Sequence, residues 1–241
     1  MSATTSPRMS RRRARTREQI LDAAEAAFAP AGYRGVRMEE LAEAADVSVG
    51  SIYGHFGNKD GVYLALVERA LDQFAGYLDT AFDPSYTPLE QAMAAGEVYL
   101  KFHLQHPGSF RFLAFDGVET RMPELDEGAL AVRERVGERL EEILGGFQDR
   151  IQQAIEAGEA DGGYDSKLVA RFLWGAWNGV VSFGLRTDRM ALTDDEIAAC
   201  LRMGRRLVNE GLTAPAHRDP DGYSRGRLLD GGTAAPDGVA V

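Results

Sequence analysis

Between residues 38 and 60 the apolar side chains follow a helical period, stop, and then resume. The first group, which recurs at i, i+3, i+4 and i+7, consists of Met38, Leu41, Ala42 and Ala45. This spacing predicts a short helix with one buried face. Asp46 interrupts the pattern, and Ser48 then offers a hydroxyl that can cap a second helix, in which Ile52 and Phe56 share a buried edge. Two short helices joined by a tight turn form a helix-turn-helix.

The outer face of the second helix is unusual because its side chains are small or polar. It consists of Gly50, Ser51, Tyr53 and Gly54. Helices of fewer than roughly 12 residues are marginal in water, so this helix must be held by packing on its other side. A helix that is fixed on one side and has little bulk on the other suits the major groove of DNA.

The remainder of the chain also shows helical periodicity, without a long run of strand alternation. The predicted helices are Arg15 to Ala29, the two helices of the motif, a helix that starts after Asn58 and continues to about Ala81, Leu89 to Gln105, a short helix through Asp116, Asp126 to Ala157, Ser166 to Arg186, and Asp194 to Gly211. The predicted fold is therefore all-α, with about nine helices. We expect a disordered arm at 1–10, a helix-turn-helix domain at 11–60, a larger helical domain at 61–212 and a disordered tail at 213–241.

The segment from Thr16 to about Leu66 resembles the tetracycline-repressor-like (TetR) family of transcriptional regulators. The resemblance rests on the opening helix, the corner at Gly32 and Tyr33, the helix-turn-helix, and the run that contains Tyr53, His55, Phe56 and Lys59. The chain departs from the family pattern at two positions. Arg37 replaces a Ser or Thr cap, which loses about 1 kcal/mol, and Asp46 replaces a turn glycine, although aspartate enters a left-handed turn more easily than most residues.

The resemblance implies specific roles for the residues of the motif. Val49, Gly50 and Tyr53 would face base edges, and Arg37 could reach a phosphate. The residues that would hold backbone phosphates are Ser48, Ser51, His55 and Lys59. The resemblance further implies a homodimer on double-stranded operator DNA, in which a small-molecule effector changes the spacing of the two recognition helices.

Charge is divided unevenly along the chain, whose formal net charge is −10. Residues 1–69 contain ten Lys and Arg against nine Asp and Glu, whereas the remaining residues contain 17 against 28. Six arginines lie between Arg8 and Arg17, with no acidic residue before Glu18. Such an arm is suited to contact phosphates, and its alternative role is that of a solubilising tail.

The last two predicted helices contain the features that favour self-association. Gly175 and Gly179 lie one turn apart, and mid-helix glycine is tolerated where another backbone approaches closely. Together with Leu201 and Val208 they form the predicted dimer interface, and in the TetR family the last two long helices pair in this way. Alternatively, the glycines accommodate core side chains within one subunit.

Aromatic residues with a few polar neighbours predict a cavity for an apolar effector. The candidate effector-binding residues are Phe102, His103, Phe110, Phe115, Trp177 and Asn178. The alternative is that these aromatic side chains form a packed core.

Other classes of protein have little support in the sequence. Cys200 is the one cysteine, and His103 with His106 lacks the further ligands of a zinc site. No nucleophile motif, phosphate loop or secretion signal is visible, and the longest uncharged helical stretch has 14 residues, whereas a membrane span needs about 20. We therefore expect a cytoplasmic protein with no catalytic residues, metal, cofactor or membrane partner.

These observations predict a sequence-specific DNA-binding transcriptional regulator that represses genes from a palindromic operator and is released by a small molecule. The alternative is a small-molecule-binding protein or enzyme built on the C-terminal helices, with vestigial DNA binding.

Overall fold

The computed structural model describes residues 7–114 and 126–225, which contain nine α-helices and no β-strand. The helices are α1 (Pro7–Gly35), α2 (Met38–Ala44), α3 (Val49–Phe56), α4 (Lys59–Ala81), α5 (Pro88–Gln105), α6 (Pro107–Ala114), α7 (Glu127–Glu156), α8 (Ser166–Ser182) and α9 (Asp194–Leu212). Short 3-10 helices follow α8 and α9, at Phe183–Leu185 and Pro215–His217. The predicted all-α fold with an N-terminal helix-turn-helix is confirmed.

Two compact units divide these helices. The first comprises the described residues of Met1–Asp72 and His106–Leu140, and the second those of Gln73–Gln105 and Glu141–Val241. Helix α4 contributes residues to both units, so the unit boundary falls within it rather than at residues 60 and 61.

In the first unit, α1 packs against α2 and α6, and α2 packs against α3. Tyr63 lies edge-on to Phe28, Tyr33 and Phe112, with ring centroids 5.4 to 5.6 Å apart. Arg69 donates a hydrogen bond to Asp22 at 2.7 Å and is also paired with Glu25. These contacts hold α1 against α2, α4 and α6.

In the second unit, α9 packs against α5 and α8. Both α8 and α9 begin with side-chain caps, because Asp165 accepts a bond from the amide of Leu168 and Thr193 forms a capping box with Glu196. The buried residues that connect α5, α7, α8 and α9 include Leu89, Ala92, Met93, Ile151, Ala154, Ala170 and Leu212.

The predicted disorder of residues 1–10 and 213–241 is wrong where the structure describes these segments. Helix α1 begins at Pro7, because proline suits the first turn of a helix and the arginines that follow are good helix formers. Thr213 is buried and forms an antiparallel bridge with Ala160. Residues 1–6 and 226–241 lie outside the described residues.

Candidate functional site

The turn between α2 and α3 has the predicted conformation. The four apolar residues of α2 and its turn, Met38, Leu41, Ala42 and Ala45, are buried. Asp46 has a φ of 49°, which is the left-handed conformation expected of it. Arg37 precedes α2 with extended backbone and makes no side-chain cap among the described residues. Its guanidinium group instead pairs with Glu40, and both side chains are exposed.

Helix α3 is anchored by its first residues and by one apolar side chain. The hydroxyl of Ser48 accepts a hydrogen bond from the amide of Ser51 at 3.1 Å, and the side chain of Ile52 is fully buried. The capping bond satisfies an amide that would otherwise lack an intrahelical acceptor. The cap and the buried isoleucine together set the direction in which α3 points.

The opposite face of α3 is open. Tyr53 is 47 % exposed, and Gly50 and Gly54 are exposed on either side of it. Apart from its chain neighbours and the backbone of its own helix, no described atom lies within 4 Å of the position that a Cβ would take at Gly54. Val49 and Ser51, at the edge of this face, are half-buried. A duplex could therefore approach the backbone of α3 closely.

Two arginines of α1 hold the C-terminal end of α3, a role that the sequence analysis missed. The Nη2 atom of Arg13 donates to the carbonyl of Gly54 at 3.2 Å, and the guanidinium group of Arg17 lies 5.5 Å from the ring centre of Phe56. Burial, reinforced by the charges of Arg13 and Arg17, lowers the pKa of His55. His55 is therefore a neutral imidazole at pH 7, which can donate one hydrogen bond to a phosphate.

The position of Lys59 differs from the prediction that it holds a phosphate. Its ammonium group donates to the carbonyl of Val36 at 2.5 Å and lies 4.7 Å from the ring centre of Tyr33. Burial lowers the pKa of Lys59. In this conformation Lys59 links α4 to the residues that precede α2.

The second unit encloses a cavity between α4, α5, α7, α8 and α9. It contains about 530 Å³ of empty space, part of which is open to solvent. Its walls are mainly apolar and aromatic, and they include Phe74, Met93, Tyr99, Phe147, Trp174 and Trp177. Arg205 is the one charged residue among those that line the cavity. Such a site suits an apolar molecule with few polar groups.

Of the candidate effector-binding residues that the structure describes, only Trp177 lies in the wall of this cavity. Phe102 is fully buried among the rings of Phe74 and Tyr77. The Nε2 atom of His103 lies 3.7 Å from Asp194, and Asn178 accepts a 2.6 Å hydrogen bond from the hydroxyl of Tyr99. The remaining two candidates are Phe110, which is buried in the first unit, and Phe115, which lies outside the described residues.

The outer faces of α8 and α9 carry large apolar side chains. Phe172 is 69 % exposed and Leu207 is 65 % exposed, and Leu168 and Met203 lie on the same faces. Gly175 and Gly179 are also exposed, and apart from their chain neighbours and the backbone of α8 no described atom lies within 4 Å of a Cβ position at either glycine. These two glycines therefore do not accommodate described core side chains of their own chain.

Two of the predicted interface residues face the interior of their own chain instead. Leu201 is buried, and Val208 lines the cavity. The helical period explains the difference, because Met203 and Leu207 lie on the side of α9 opposite to the buried side chains of Leu201 and Arg205.

Two other kinds of feature are missing from the described parts of the chain. No group of three His, Cys, Asp or Glu side chains there could hold a metal ion. Within residues 7–114 and 126–225, none of the helices combines the length and the apolar character that crossing a membrane requires.

Comparison with known proteins identifies both parts of the chain. Residues 20–66 match the family described as "Bacterial regulatory proteins, tetR family", and residues 92–207 match "Tetracyclin repressor-like, C-terminal domain". The fatty acid metabolism regulator protein of Bacillus subtilis is 26% identical over 174 residues, which cover 71% of this chain and 84% of that protein.

Solved structures share the fold. The fatty acid degradation regulator FadR from Bacillus halodurans has a TM-score of 0.62 at 21% identity, covering 87% of this chain and 98% of that one. AibR, in complex with isovaleryl coenzyme A and operator DNA, has a TM-score of 0.58 at 20% identity, covering 78% and 97%. With both family matches in sequence order, and a DNA-binding helix-turn-helix within the first of them, the chain belongs to the tetR family of bacterial regulatory proteins.

Proposed function

We propose that this regulator acts in the cytoplasm as a homodimeric repressor, which binds a palindromic operator and is released when an apolar small molecule enters the cavity of the second unit. The observation that carries the proposal is the bare, exposed face of α3 around Tyr53. The cavity and the apolar outer faces of α8 and α9 support the effector and the dimer, respectively.

Tyr53 and Val49 are the proposed base-contacting side chains. The tyrosine is the one large side chain on the open face of α3, and Val49 lies at the edge of that face near its N-terminus. An apolar valine methyl can contact the methyl group of thymine. The choice of DNA sequence would then depend on few side-chain contacts to the bases.

Replacing Tyr53 by Ala should therefore cause a severe loss of specific binding, since a good base contact contributes about 1–3 kcal/mol. Val49→Ser should relax one position of the binding site and leave nonspecific affinity unchanged. Selection from random duplexes measures both effects. An unchanged selected sequence for Val49→Ser would contradict its assignment to a base.

The N-terminal part of α1 is the proposed phosphate-contacting element. Arg8, Arg11, Arg12 and Arg15 are exposed and recur at i, i+3, i+4 and i+7, so they form one basic stripe on the helix. A basic stripe of this kind binds DNA by neutralising phosphates and releasing counterions. It would position the protein without reading sequence.

Changing these four arginines to Gln should reduce the slope of log affinity against log salt by about 3 to 4, since each phosphate contact contributes about 0.9. Lys59→Met is the comparison, and we expect it to leave the slope unchanged because its ammonium group is bonded to Val36. A fall of about 1 for Lys59→Met would show that this lysine moves to reach DNA. An unchanged slope for the quadruple variant would make the arginine stripe a solubilising segment.

A second copy of the chain is the proposed occupant of the apolar outer faces of α8 and α9. Four large apolar side chains, Leu168, Phe172, Met203 and Leu207, are exposed on these two packed helices. Surfaces of this kind mark interaction sites. Gly175 and Gly179 would let the backbone of a partner helix approach closely. A homodimer would carry two α3 helices, one for each half of a palindrome.

Helix α4 is the proposed coupling element. It follows the helix-turn-helix directly, and its residues Phe74 and Leu78 line the cavity. An effector that binds better when these two side chains are displaced would favour a second position of α4 and thereby lower operator affinity.

Two proteins similar to this chain, from Bacillus subtilis and Bacillus halodurans, are named for fatty acid regulation, and AibR was solved with isovaleryl coenzyme A. These names support an effector with an acyl-like apolar part.

The experiment that tests this function begins with selection of bound sequences from random duplexes. We expect an inverted repeat that remains bound at salt concentrations at which sheared genomic DNA is released. Fractions of a cell extract are then tested for release of that repeat. Failure to enrich any sequence would contradict the proposal.

A variant with a filled cavity provides the control for release. Ala95 is buried in the cavity wall, so Ala95→Phe should reduce the space available to an effector. This variant should bind the selected repeat and resist release, whereas Tyr53→Ala should not bind it. If an active fraction releases wild type and Ala95→Phe equally, the effector does not act through this cavity.

A further inference from the structure

One polar group in the cavity wall has no partner within the described parts of the chain. Trp177 is 8 % exposed, and its indole Nε1 is buried without a hydrogen bond. Buried N–H groups are usually paired, because leaving one unpaired forfeits the hydrogen bond that water would make. An unpaired donor in the wall of a cavity is therefore suited to bind an acceptor atom on a ligand.

Gly96, on the neighbouring helix α5, packs closely against this indole. A Cβ at residue 96 would lie 3.3 Å from Cζ2 and 3.5 Å from Nε1 of Trp177. Both residues line the cavity. A methyl group there would press on the indole, so the absence of a side chain at residue 96 lets Trp177 keep this position in the cavity wall.

The positive charge of Arg205, near this donor, is already balanced by the carboxylate of Glu97. Arg205 also lines the cavity, and its Nη1 atom lies 3.0 Å from a carboxylate oxygen of Glu97. The two side chains are only 6% and 20% exposed. Because this pair is neutral as a whole, an ionised ligand that enters the cavity loses its hydration and meets no uncompensated positive charge.

We infer that the effector is an apolar molecule that carries an uncharged carbonyl group, as in an ester, lactone or ketone, and that Trp177 Nε1 donates a hydrogen bond to its oxygen. The cavity selects against the free acid of the same chain, because a carboxylate would remain unpaired beside Glu97. This inference rests on the proposed function in that it identifies the class of ligand for the same cavity.

Both tryptophans of the chain line this cavity, so intrinsic fluorescence reports on it directly. The probes are methyl decanoate and decanoate, titrated at pH 8 where decanoate is ionised. We expect the ester to bind at least 10-fold more tightly than the acid. Tighter or equal binding of decanoate would overturn the inference, and so would the absence of a fluorescence response to the ester.

Trp177→Phe removes the donor and retains an aromatic ring. We expect it to weaken ester binding by about 3- to 10-fold, which is the range for one neutral hydrogen bond. Trp174→Phe shortens another indole of the same wall and is the matched control. Because each variant keeps one tryptophan, fluorescence reports on both. An equal loss in the two variants would overturn the role of Trp177.

Gly96→Ala tests the position of the indole, because the added methyl group would displace it. We expect it to weaken ester binding by a factor similar to that of Trp177→Phe, and the double variant to show little further loss, because both changes remove one interaction. Fully additive losses would contradict a shared site. Circular dichroism of each variant confirms that helicity is retained.

Operator release separates this inference from the proposed function. If methyl decanoate binds in a Trp177-dependent manner but releases no operator DNA, the assignment of the Trp177 donor to a carbonyl group stands, and release of the operator through this cavity is contradicted. If an extract fraction releases the operator from wild type and from Trp177→Phe at the same concentration, the proposed function stands and the inference is overturned.

Discussion

Phe172→Glu together with Leu207→Glu is expected to yield a folded monomer that no longer binds the operator. Both side chains are more than 60 % exposed in one chain (69 % and 65 %), so the substitutions should not disturb its core. In the proposed dimer they are buried, and burial of one such side chain contributes roughly 1.5–3 kcal/mol. Twofold symmetry makes each change count twice. The loss is therefore at least about 6 kcal/mol, or more than about 10⁴-fold in the dimer dissociation constant.

Sedimentation at micromolar concentration measures the oligomeric state, and an operator titration measures the consequence. Leu104→Glu is the matched control, because Leu104 is also an exposed leucine, 50% exposed, but belongs to α5. It should remain a dimer. Gly179→Leu introduces a side chain where two backbones would approach and should also produce monomer, since overpacking costs about 1–3 kcal/mol at each position. If the Phe172→Glu and Leu207→Glu double variant and the Gly179→Leu variant both remain dimers, the chains associate through another surface.

The second large effect is expected from the pair of Arg205 and Glu97. Replacing Glu97 by Leu leaves a buried guanidinium group without its carboxylate, and breaking a buried pair in this way costs about 3–5 kcal/mol of folding free energy. Adding Arg205→Met should recover most of that loss, because two apolar side chains of similar volume can replace a buried pair at little cost. Urea unfolding, monitored by circular dichroism, measures the free energy of each variant.

Comparison with an exposed ion pair shows whether the loss of stability depends on the burial of the pair or only on its charge. Arg37 and Glu40 have side chains that are 76% and 53% exposed, and solvent screens such pairs strongly. Arg37→Met should therefore change the stability by much less than Glu97→Leu. A double variant as unstable as Glu97→Leu alone would mean that the loss in Glu97→Leu does not come from the charge of Arg205.

The helix-turn-helix could be predicted from sequence because short-range interactions determine it. The Ser48 cap and the left-handed Asp46 each depend on residues within about one helical turn, and the spacing of Ile52 and Phe56 marks the apolar edge of α3. The start of α9 follows in the same way from the capping box of Thr193 and Glu196. Such signals are independent of the distant chain.

Contacts between helices that are distant in the chain decided the positions of the candidate effector-binding residues and of Lys59. Aromatic composition did not distinguish Phe102, which is packed between other rings, from Trp177, which lines the cavity. Likewise, the motif around Lys59 did not reveal that the carbonyl of Val36 would accept its hydrogen bond.

The sequence by itself determined the helices, their caps and the small, polar side chains on one face of α3, since periodicity and capping depend on neighbouring residues. Only the tertiary structure decided which side of each helix is covered. It buried Leu201 and left Leu207 exposed on the same helix, and it set Gly96 beside the indole of Trp177. The physical reason is that burial depends on which helices pack together and at what angle, and residues far apart in the chain decide this jointly.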